Sequence, residues 1–374
     1  MIRYPMVDLA AQYKDISSEI DEAIHSVIKS TAFIKGQDVQ YFEKELSEFL
    51  AAKHVIACAN GTDALQLALM ALGLEPGDEV VTPAFSYIAA AEACALLGLK
   101  PILVDVSKKT FNIDAEEIES KLTEKTKCII PVHLFGQSCE MDAIMHISEK
   151  YNIPVIEDSA QAIGATYTSK GRTRSLGTFG DIATLSFFPS KNLGCYGDGG
   201  ALICQDDALA HKIRLLANHG QDKKYHHELI GLNSRLDSIQ AAILRVKLRH
   251  LDDYTNKRRT AASIYHEQLR SMNEIILPAE MTNSKHVYHQ YTIRVLNDKR
   301  DGLKKELYEK GIASTIYYPI AIHKQRAYSH FVESDYRLGR SEELSKEVLS
   351  LPMHSHLRTD AIEYICSVIR NYLN

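Results

Sequence analysis

The stretch SFFPSKNLGCYGDGG, Ser186 to Gly200, places a lysine between a run typical of a buried strand and a glycine-rich turn. Lys191 therefore follows the carboxyl end of a predicted strand, which is where ligands bind in open parallel sheets. A lysine in a loop is usually solvated, so the position alone is weak evidence of catalysis. Whether this lysine is functional depends on what the rest of the chain places beside it.

Seven β-rich runs, separated by helical stretches, lie between about residues 55 and 205. They are HVIACA, EVVTPA, KPILVDV, CIIPVHLFG, IPVIEDSA, IATLSFFPS and ALICQD. Strands that alternate with helices are joined by crossover connections, which predict a mostly parallel sheet covered on both faces. The fold class expected for this part of the chain is α/β.

The pattern changes after NSRLDSIQAAILRVKLRHLDDYTNKRRTAASIYHEQL, whose apolar spacing predicts one long helix between two domains. Beyond it, the strand VYHQYTIRV, the helix RDGLKKELYEKG, the strand ASTIYYPI and a final helix ending in YICSVIRNYL predict a smaller α+β domain. We expect a large α/β domain over residues 1–250, with an N-terminal helical arm, and a small C-terminal domain over residues 251–374.

The composition is typical of a globular enzyme. The net charge of −5, from 43 basic and 48 acidic residues, argues against nucleic-acid binding. There is no signal-peptide pattern and no apolar stretch long enough for a bilayer, so we expect no membrane association and a cytoplasmic location. The seven cysteines show no CxxC and no paired Cys/His spacing, which predicts reduced, mostly buried thiols and no metal site.

Two further reactive groups fall at predicted strand ends. Asp158 ends PVIED, and Gly61 and Thr62 follow VIACAN and open the helix DALQLALMAL. A helix N-terminus can hold a phosphate, a lysine can form a Schiff base with pyridoxal phosphate, and a carboxylate can pair with the pyridinium nitrogen. Each residue also has a structural interpretation, because such an aspartate is often a helix cap and NGT is often a turn. Their joint placement favours a pyridoxal-phosphate site.

Four motifs, in this order, resemble the DegT/DnrJ/EryC1/StrS family of sugar-nucleotide aminotransferases. They are CANGTDALQLAL, EDSAQAIGA, SFFPSKNLGCYGDGGAL and GLNSRLDSIQAAIL. The resemblance runs from VDLAAQY to LSLPMHSHL, nearly the whole chain. It implies the PLP-dependent transferase fold type I, with a mostly parallel central sheet in the large domain and a smaller C-terminal α+β domain.

The resemblance also implies roles for single residues. Lys191 would bind pyridoxal 5'-phosphate, and Asp158 would pair with its ring nitrogen. The other cofactor contacts would be Gly61, Thr62 and Ser186 at the phosphate, Phe85 on the ring face, Gln161 at the ring and its phenolic oxygen, and Asn233 from the neighbouring subunit of a homodimer. Family members with histidine in place of the lysine act as dehydratases, so Lys191 favours amine transfer.

The implied substrates are L-glutamate, as amino donor, and a keto-sugar linked to a nucleoside diphosphate. FFPSK…GCYGDGGA, HGQDKKYHH and LSLPMH are most similar to enzymes that aminate C3 of UDP-2-acetamido-2-deoxy-3-oxo-glucuronate for surface polysaccharide. They are less similar to enzymes acting on dTDP-linked 3-oxo-6-deoxyhexoses. Arg235, Tyr318 and His323 are candidate substrate contacts, although a salt bridge at a helix start would equally explain Arg235. Tyr317 stands where many relatives have histidine, which leaves the exact acceptor open.

Three other functions would each leave a different pattern in the sequence. A nicotinamide-dependent oxidoreductase would carry G-x-G-x-x-G before a helix, and GCYGDGG has neither that spacing nor the helix. A metal enzyme could be suspected from His226, His227 and Glu228, but adjacent histidines do not share a helix face and HExxH is absent. A sugar-nucleotide-binding protein that kept the fold would be free to lose Lys191 or Asp158, and both are present.

Overall fold

The computed structural model describes residues 2–332 and 336–373. Its helices are α1 (Leu9–Ser30), α2 (Gln37–Leu50), α3 (Gly61–Leu72), α4 (Ala89–Leu96), α5 (Ala115–Lys121), α6 (Met141–Tyr151), α7 (Asp207–Leu216), α8 (Ser238–Arg249), α9 (Leu251–Leu269), α10 (Arg300–Glu309), α11 (Gly339–Glu347) and α12 (Thr359–Leu373). Its strands are β1 (His54–Cys58), β2 (Glu79–Pro83), β3 (Lys100–Val104), β4 (Thr126–Ile129), β5 (Ile156–Asp158), β6 (Thr166–Ser169), β7 (Arg172–Ser175), β8 (Ile182–Ser186), β9 (Gly200–Cys204), β10 (Gln221–Lys223), β11 (His226–His227), β12 (Ile275–Ile276), β13 (Ser284–Lys285), β14 (Tyr291–Val295) and β15 (Val348–Leu351).

The large domain is built on one seven-stranded sheet. Parallel bridges from Ile129 to Val155 and from Val132 to Asp158 join β4 to β5, which gives the strand order β3-β2-β4-β5-β8-β9-β1. Only β9 runs against its neighbours, because residues 187–199 connect it to β8 without the helix that a parallel crossover needs. All seven predicted strands are present, so the prediction of a mostly parallel α/β domain is confirmed.

Helices cover both faces of this sheet, as the alternation of side chains along β1 shows. Ile56 and Cys58 join a core cluster with α3, α4 and α7. Val55 and Ala57 point to the other face, where α2 and α8 pack. The carboxyl edge of the sheet is left between these helical layers, and the predicted site residues follow the strands at that edge.

The predicted single linking helix is wrong, because it is two helices that meet at His250. The His250 ring is held by Glu19 of α1, with Nε2 2.9 Å from the carboxylate. The break lets the two apolar faces serve different cores: α8 packs in the core of the large domain, and the second half of α9 packs in the core of the small one.

The small domain contains the antiparallel sheet β12-β14-β15, packed on α9, α10 and α12. The predicted strand ASTIYYPI is wrong: only Thr315 pairs, by two amide hydrogen bonds with Ser350 of β15, a strand that was not predicted. The chain leaves the sheet after Thr315 and carries Tyr318 to within 3.2 Å of Gln161 in the large domain. In this segment a contact between side chains far apart in the sequence is found in place of strand pairing.

Two segments cross the predicted domain boundary. The amides of Arg3 and Tyr4 donate to the Gly311 carbonyl of the small domain, and β13 pairs with β6 of the large domain. The division between residues 250 and 251 stays a prediction. Among the described helices none is long and apolar enough to cross a membrane, and the seven cysteines are buried free thiols.

Candidate active site

The carboxyl edge of the sheet has a corner where backbones approach closely. Gly61, the first residue of α3, lies against Ser186 at the end of β8, and a methyl group on it would come within 2.8 Å of the Ser186 Cβ. A methyl group on Gly200, the first residue of β9, would come within 2.4 Å of the Asn60 carbonyl. Such approaches require glycine, so the corner is lined by exposed main chain rather than by side chains.

The same corner offers unpaired hydrogen-bond donors. Asn60 caps α3 by accepting a 2.8 Å hydrogen bond from the Asp63 amide. The amides of Gly61 and Thr62, in the first turn, have no acceptor among the described residues. The Ser186 hydroxyl accepts only one long hydrogen bond, of 3.4 Å, from a nearby amide. With the positive end of the helix dipole, these donors fit a phosphate group.

Lys191 and Asp158 form the charged centre of this edge. Asp158 ends β5, and its Oδ1 accepts a 3.0 Å hydrogen bond from the Ala160 amide. Lys191 lies in the turn after β8, where its amide donates to the Phe188 carbonyl at 2.8 Å. Burial lowers the pKa of Lys191 to about 8, and the charge of Asp158 opposes part of that shift. The amine is therefore closer to its nucleophilic, neutral form than an exposed lysine is.

Asp158 responds to the same surroundings. Burial raises its pKa, while the Ala160 amide and the charges of Lys191 and His133 oppose that rise. The carboxylate and the amine therefore influence each other within one buried space. A buried carboxylate that lacks a full partner is suited to a cationic ring nitrogen, so the pair fits the pyridine ring and aldehyde of pyridoxal phosphate.

An aromatic group borders this centre. Phe85 is 1% exposed, and its ring centroid lies 6.5 Å from that of Phe111 and 6.0 Å from that of Tyr318. Gln161 donates through Nε2 to the Tyr318 hydroxyl at 3.2 Å and accepts at Oε1 from the Phe135 amide at 2.7 Å. Tyr318, predicted as a substrate contact, thus lies with the two residues predicted to face the cofactor ring.

The other two predicted contacts from the small domain have protein neighbours. His323 Nε2 lies 3.1 Å from Glu342 Oε1, which Lys324 also contacts at 3.3 Å. Burial lowers the pKa of His323, and Glu342 opposes that shift. Tyr317 packs against the core of the large domain, with its ring centroid 5.7 Å from that of Tyr318. A substrate role for either residue stays a prediction.

Arg235 and Asn233 lie on the segment between β11 and α8. Arg235 makes no hydrogen bond or ion pair within residues 2–332 and 336–373, so the salt bridge that could have explained it is not found there. Lys35 is close by, since burial and then the charge of Arg235 lower the Lys35 pKa. Asn233 is exposed and bridges to Asn218. Two cationic side chains and an exposed amide therefore share this surface.

Reasoning from the sequence missed three residues near the site. Tyr87, 58% exposed, has its ring centroid 6.3 Å from that of Tyr318, and its position two residues after Phe85 in TPAFSY was a usable signal. Gly200 could have been found from the glycine pair that begins β9. His289 contacts Asn192 across 97 positions of sequence, and no local pattern announces such a contact.

Comparisons with known proteins agree with this geometry. The model of the DegT/DnrJ/EryC1/StrS aminotransferase family matches residues 14–370. The chain is 45% identical to the UDP-2-acetamido-2-deoxy-3-oxo-D-glucuronate aminotransferase of Pseudomonas aeruginosa, over 98% of this chain and 99% of that protein. It is 44% identical to the UDP-N-acetyl-3-dehydro-alpha-D-glucosamine 3-aminotransferase of Acidithiobacillus ferrooxidans, over 99% and 98%. It is also 45% identical to a pleiotropic regulatory protein of Geobacillus stearothermophilus, over 98% of both.

Solved structures give the same result. The crystal structure of S. venezuelae DesV in complex with a ketimine intermediate superposes with a TM-score of 0.96 at 36% identity, covering 100% of this chain and 99% of that one. The structure of NtdA from Bacillus subtilis with bound cofactor PMP has a TM-score of 0.88 at 34% identity, covering 95% and 82%. The similarity therefore includes both domains and the edge where Lys191 lies.

Proposed function

Because the chain belongs to the DegT/DnrJ/EryC1/StrS aminotransferase family, we propose that it transfers an amino group from L-glutamate to the 3-keto carbon of UDP-2-acetamido-2-deoxy-3-oxo-glucuronate. The chain is an aminotransferase that depends on pyridoxal phosphate. The proposal adds the two substrates and the residues that act on them. The product would serve surface polysaccharide biosynthesis.

The observation that carries the site assignment is Lys191, which is partly buried, beside the buried Asp158 at the edge where α3 begins. When bound, pyridoxal phosphate supplies an electron sink for the charge left on the donor Cα. Asp158 pairs with the protonated ring nitrogen, and Lys191 Nζ accepts the proton from the donor Cα. A pKa near 8 keeps a useful fraction of that amine neutral at physiological pH.

The remaining cofactor contacts follow from the same corner. Gly61, Thr62 and Ser186 donate to the phosphate, since their donors are free in the fold. Phe85 faces the ring, where an aromatic side chain packs favourably against a π-system. Gln161 is held at both ends and has one remaining amide hydrogen for the phenolic oxygen.

The choice of acceptor depends on Arg235. The relatives named for the 3-oxo-glucuronate and for the 3-dehydro-glucosamine are 45% and 44% identical, so overall similarity does not separate them. A uronate differs from a glucosamine by a carboxylate, and the Arg235 guanidinium, which has no acceptor among the described residues and has Lys35 nearby, is suited to an anion. Tyr317, Tyr318 and His323 are the remaining candidate contacts of the sugar nucleotide.

A homodimer completes the proposed site, with Asn233 reaching the cofactor phosphate of the neighbouring subunit. Support comes from the exposed apolar side chains that border the Asn233 segment. Phe33 and Ile34 are 44% and 48% exposed on a loop bridged to Asp237, and Ile230 is 91% exposed on the hairpin leading into Asn233. Apolar surface of this kind is typical of a protein interface.

The site assignment is tested by the colour of the protein. Pyridoxal phosphate added to the wild-type chain should give the yellow absorbance band of a lysine-bound cofactor, and borohydride should then fix the cofactor to Lys191. Lys191→Ala should lose both the band and turnover. Full turnover by this variant, or a fixed cofactor on another lysine, would refute the role of Lys191.

The acceptor is tested in reverse with three stable amino sugars. The cofactor spectrum is followed after mixing with UDP-2-acetamido-3-amino-glucuronate, with its analogue carrying a hydroxymethyl group at C5, or with a dTDP-linked 3-amino-6-deoxyhexose. We expect the uronate to react fastest. Arg235→Met should reduce the difference in reaction rate between the two UDP sugars. The transfer of the amino group from L-glutamate to the cofactor, measured separately for each variant, shows whether the substitution has impaired the cofactor site as a whole. A faster reaction with the dTDP sugar would overturn the acceptor and keep the chemistry.

A further inference from the structure

Asn192, the residue after the catalytic lysine, is tied to residues 287–289, a segment that lies 95 or more positions away in the sequence. Its buried side chain donates through Nδ2 to the Val287 carbonyl at 3.2 Å. Its Oδ1 lies 3.3 Å from Nδ1 of His289, which is 5% exposed. Because the amide nitrogen already donates to a carbonyl, its oxygen faces the ring and His289 Nδ1 must carry the hydrogen. The imidazole therefore donates to Asn192 and keeps its lone pair on Nε2.

The segment that supplies this histidine, residues 287–289, is itself firmly held. The Val287 amide donates to the Gly136 carbonyl of the large domain at 3.0 Å. On the other side, Arg258 Nη1 donates to the carbonyls of Tyr288 and His289 and, at 3.0 Å, to that of Met353. Arg258 is 4% exposed, and within the described part of the chain its hydrogen-bond acceptors are these carbonyls. The segment is thus clamped between the two domains.

Burial and the nearby positive charges favour the neutral form of His289. Burial, followed by the charges of Lys191 and Arg258, lowers the pKa of His289 well below its ordinary value. The charge that acts on the pKa of Lys191 is that of Asp158, which opposes the effect of burial. A neutral hydrogen-bond donor beside the lysine can therefore hold the chain in place without adding charge to the site.

We propose that His289 and Asn192 are a positioning pair for Lys191: the imidazole, supplied by the clamped segment 287–289, holds the residue that follows the lysine and so fixes where the amine lies. The inference rests on the proposed role of Lys191. Proton transfer requires the amine within reach of the donor Cα, and displacements of about 1 Å at a reacting group can cost about 100-fold in rate. The pair also makes the position of the lysine depend on how the segment 287–289 is held between Gly136 and Arg258.

Three single variants, the double variant His289→Ala/Asn192→Ala and one control test the pair. His289→Ala and Asn192→Ala each remove the hydrogen bond, whereas His289→Asn places an amide donor near the position of Nδ1. Tyr265→Phe is the control, because it removes a buried 3.1 Å hydrogen bond to Pro352 within the small domain and does not touch Lys191. Two quantities are measured: the rate of the glutamate half-reaction, and the pKa of Lys191 in the apoenzyme from the pH dependence of its reductive methylation.

We expect His289→Ala and Asn192→Ala to slow the half-reaction by roughly 10- to 100-fold. Water admitted beside the amine should also raise the Lys191 pKa above the value of about 8. The double variant should be no worse than either single one, and His289→Asn should retain most of the rate. If His289→Ala does not fold, Asn192→Ala tests the same hydrogen bond from its other end.

The inference is overturned if both alanine variants lose stability as Tyr265→Phe does but keep the wild-type rate and Lys191 pKa. It is also overturned if His289→Asn is as impaired as His289→Ala, since the hydrogen bond would then not be the cause. Failure of the proposed function looks different. Borohydride would then fix the cofactor on a residue other than Lys191, whatever the behaviour of the His289 variants.

Discussion

Lys191 has a pKa of about 8 in the fold, whereas an exposed lysine has one of 10.5, and burial is the cause. The charged form is therefore less stable in the folded apoenzyme than in the unfolded chain. Replacing Lys191 with methionine should raise the free energy of unfolding of the apoenzyme at pH 7, by at most about 3 kcal/mol. Urea unfolding measures this difference. A higher free energy of unfolding for Lys191→Met would show that the lysine destabilises the folded apoenzyme.

The stability difference between the wild type and Lys191→Met should also depend on pH. Between pH 8 and pH 10.5 the unfolded lysine still holds its proton while the folded one has released it. The destabilisation caused by Lys191 therefore falls as the pH rises through this window. The difference in the free energy of unfolding between the wild type and Lys191→Met should become smaller. Lys305→Met, at a side chain that is 79% exposed, should show no such trend. A difference that widens with pH would contradict the assignment of a buried amine.

Glu157, beside Asp158 on β5, shows what a structural carboxylate looks like at this edge. It is fully buried and accepts from His133 Nε2 at 3.0 Å and from three amides, those of Gly177, Phe179 and Gly180, at 2.6 to 2.9 Å. Burial alone would raise its pKa, but His133 and the amides lower it below its ordinary value. Each oxygen is satisfied, so no acceptor capacity is left for a ligand.

Glu157→Gln should therefore affect stability rather than chemistry. The substitution replaces a charged acceptor with an amide whose NH₂ would face backbone donors, so we expect a loss of about 2 to 4 kcal/mol in the free energy of unfolding. The yellow band of the loaded enzyme should survive. Asp158→Asn should do the opposite, with a loss of roughly 100-fold or more in kcat and little change in thermal stability. Equal effects of both variants on kcat would contradict this division of roles.

Among the elements, the strands of the sheet could be predicted from the sequence, whereas contacts between residues far apart in the sequence could not. The seven strands of the sheet were found because each is a short apolar run between helices, and Lys191 and Asp158 followed from the rule that ligands bind at carboxyl ends. The strand predicted at ASTIYYPI failed because Tyr318 is drawn to Gln161, a contact 157 positions away. His289 was not predicted for the same reason, because its contact with Asn192 spans 97 positions of sequence.

The N-terminus of α3 provides a prediction at this scale. Asn60 accepts from the Asp63 amide, and this cap fixes the first turn whose free amides face the phosphate corner. Asn60→Ala should cost about 1 kcal/mol of stability and also weaken pyridoxal-phosphate binding. Asp206→Ala is the matched control, because Asp206 caps α7 through the Leu209 amide at 2.7 Å on an exposed part of the chain. The control should lose similar stability without losing cofactor affinity, and equal affinity losses in the two variants would contradict a role for the cap.

At the scale of the whole molecule, the site draws on both domains and on the proposed second subunit. By the predicted boundary, the large domain would provide the corner at Gly61 and the two charged residues of the proposed site, and the small domain would provide Tyr318 and the His289 hydrogen bond to Asn192. Asn233, in contrast, is exposed on a surface bordered by apolar side chains. An exposed position is compatible with contact to a neighbouring subunit, which is the role that the family resemblance implies for Asn233.

Subunit mixing distinguishes the two arrangements. Lys191→Ala and Asn233→Ala chains, each purified and measured alone, should have little or no activity as homodimers. In a mixed dimer, one site would carry both changes, and the other would combine an intact Lys191 with an intact Asn233 from the partner. An equal mixture that exchanges freely is half mixed dimer, so activity should return to about one quarter of the wild-type value. If Asn233 acts within its own chain, every site in the mixed dimer carries one change and no activity returns.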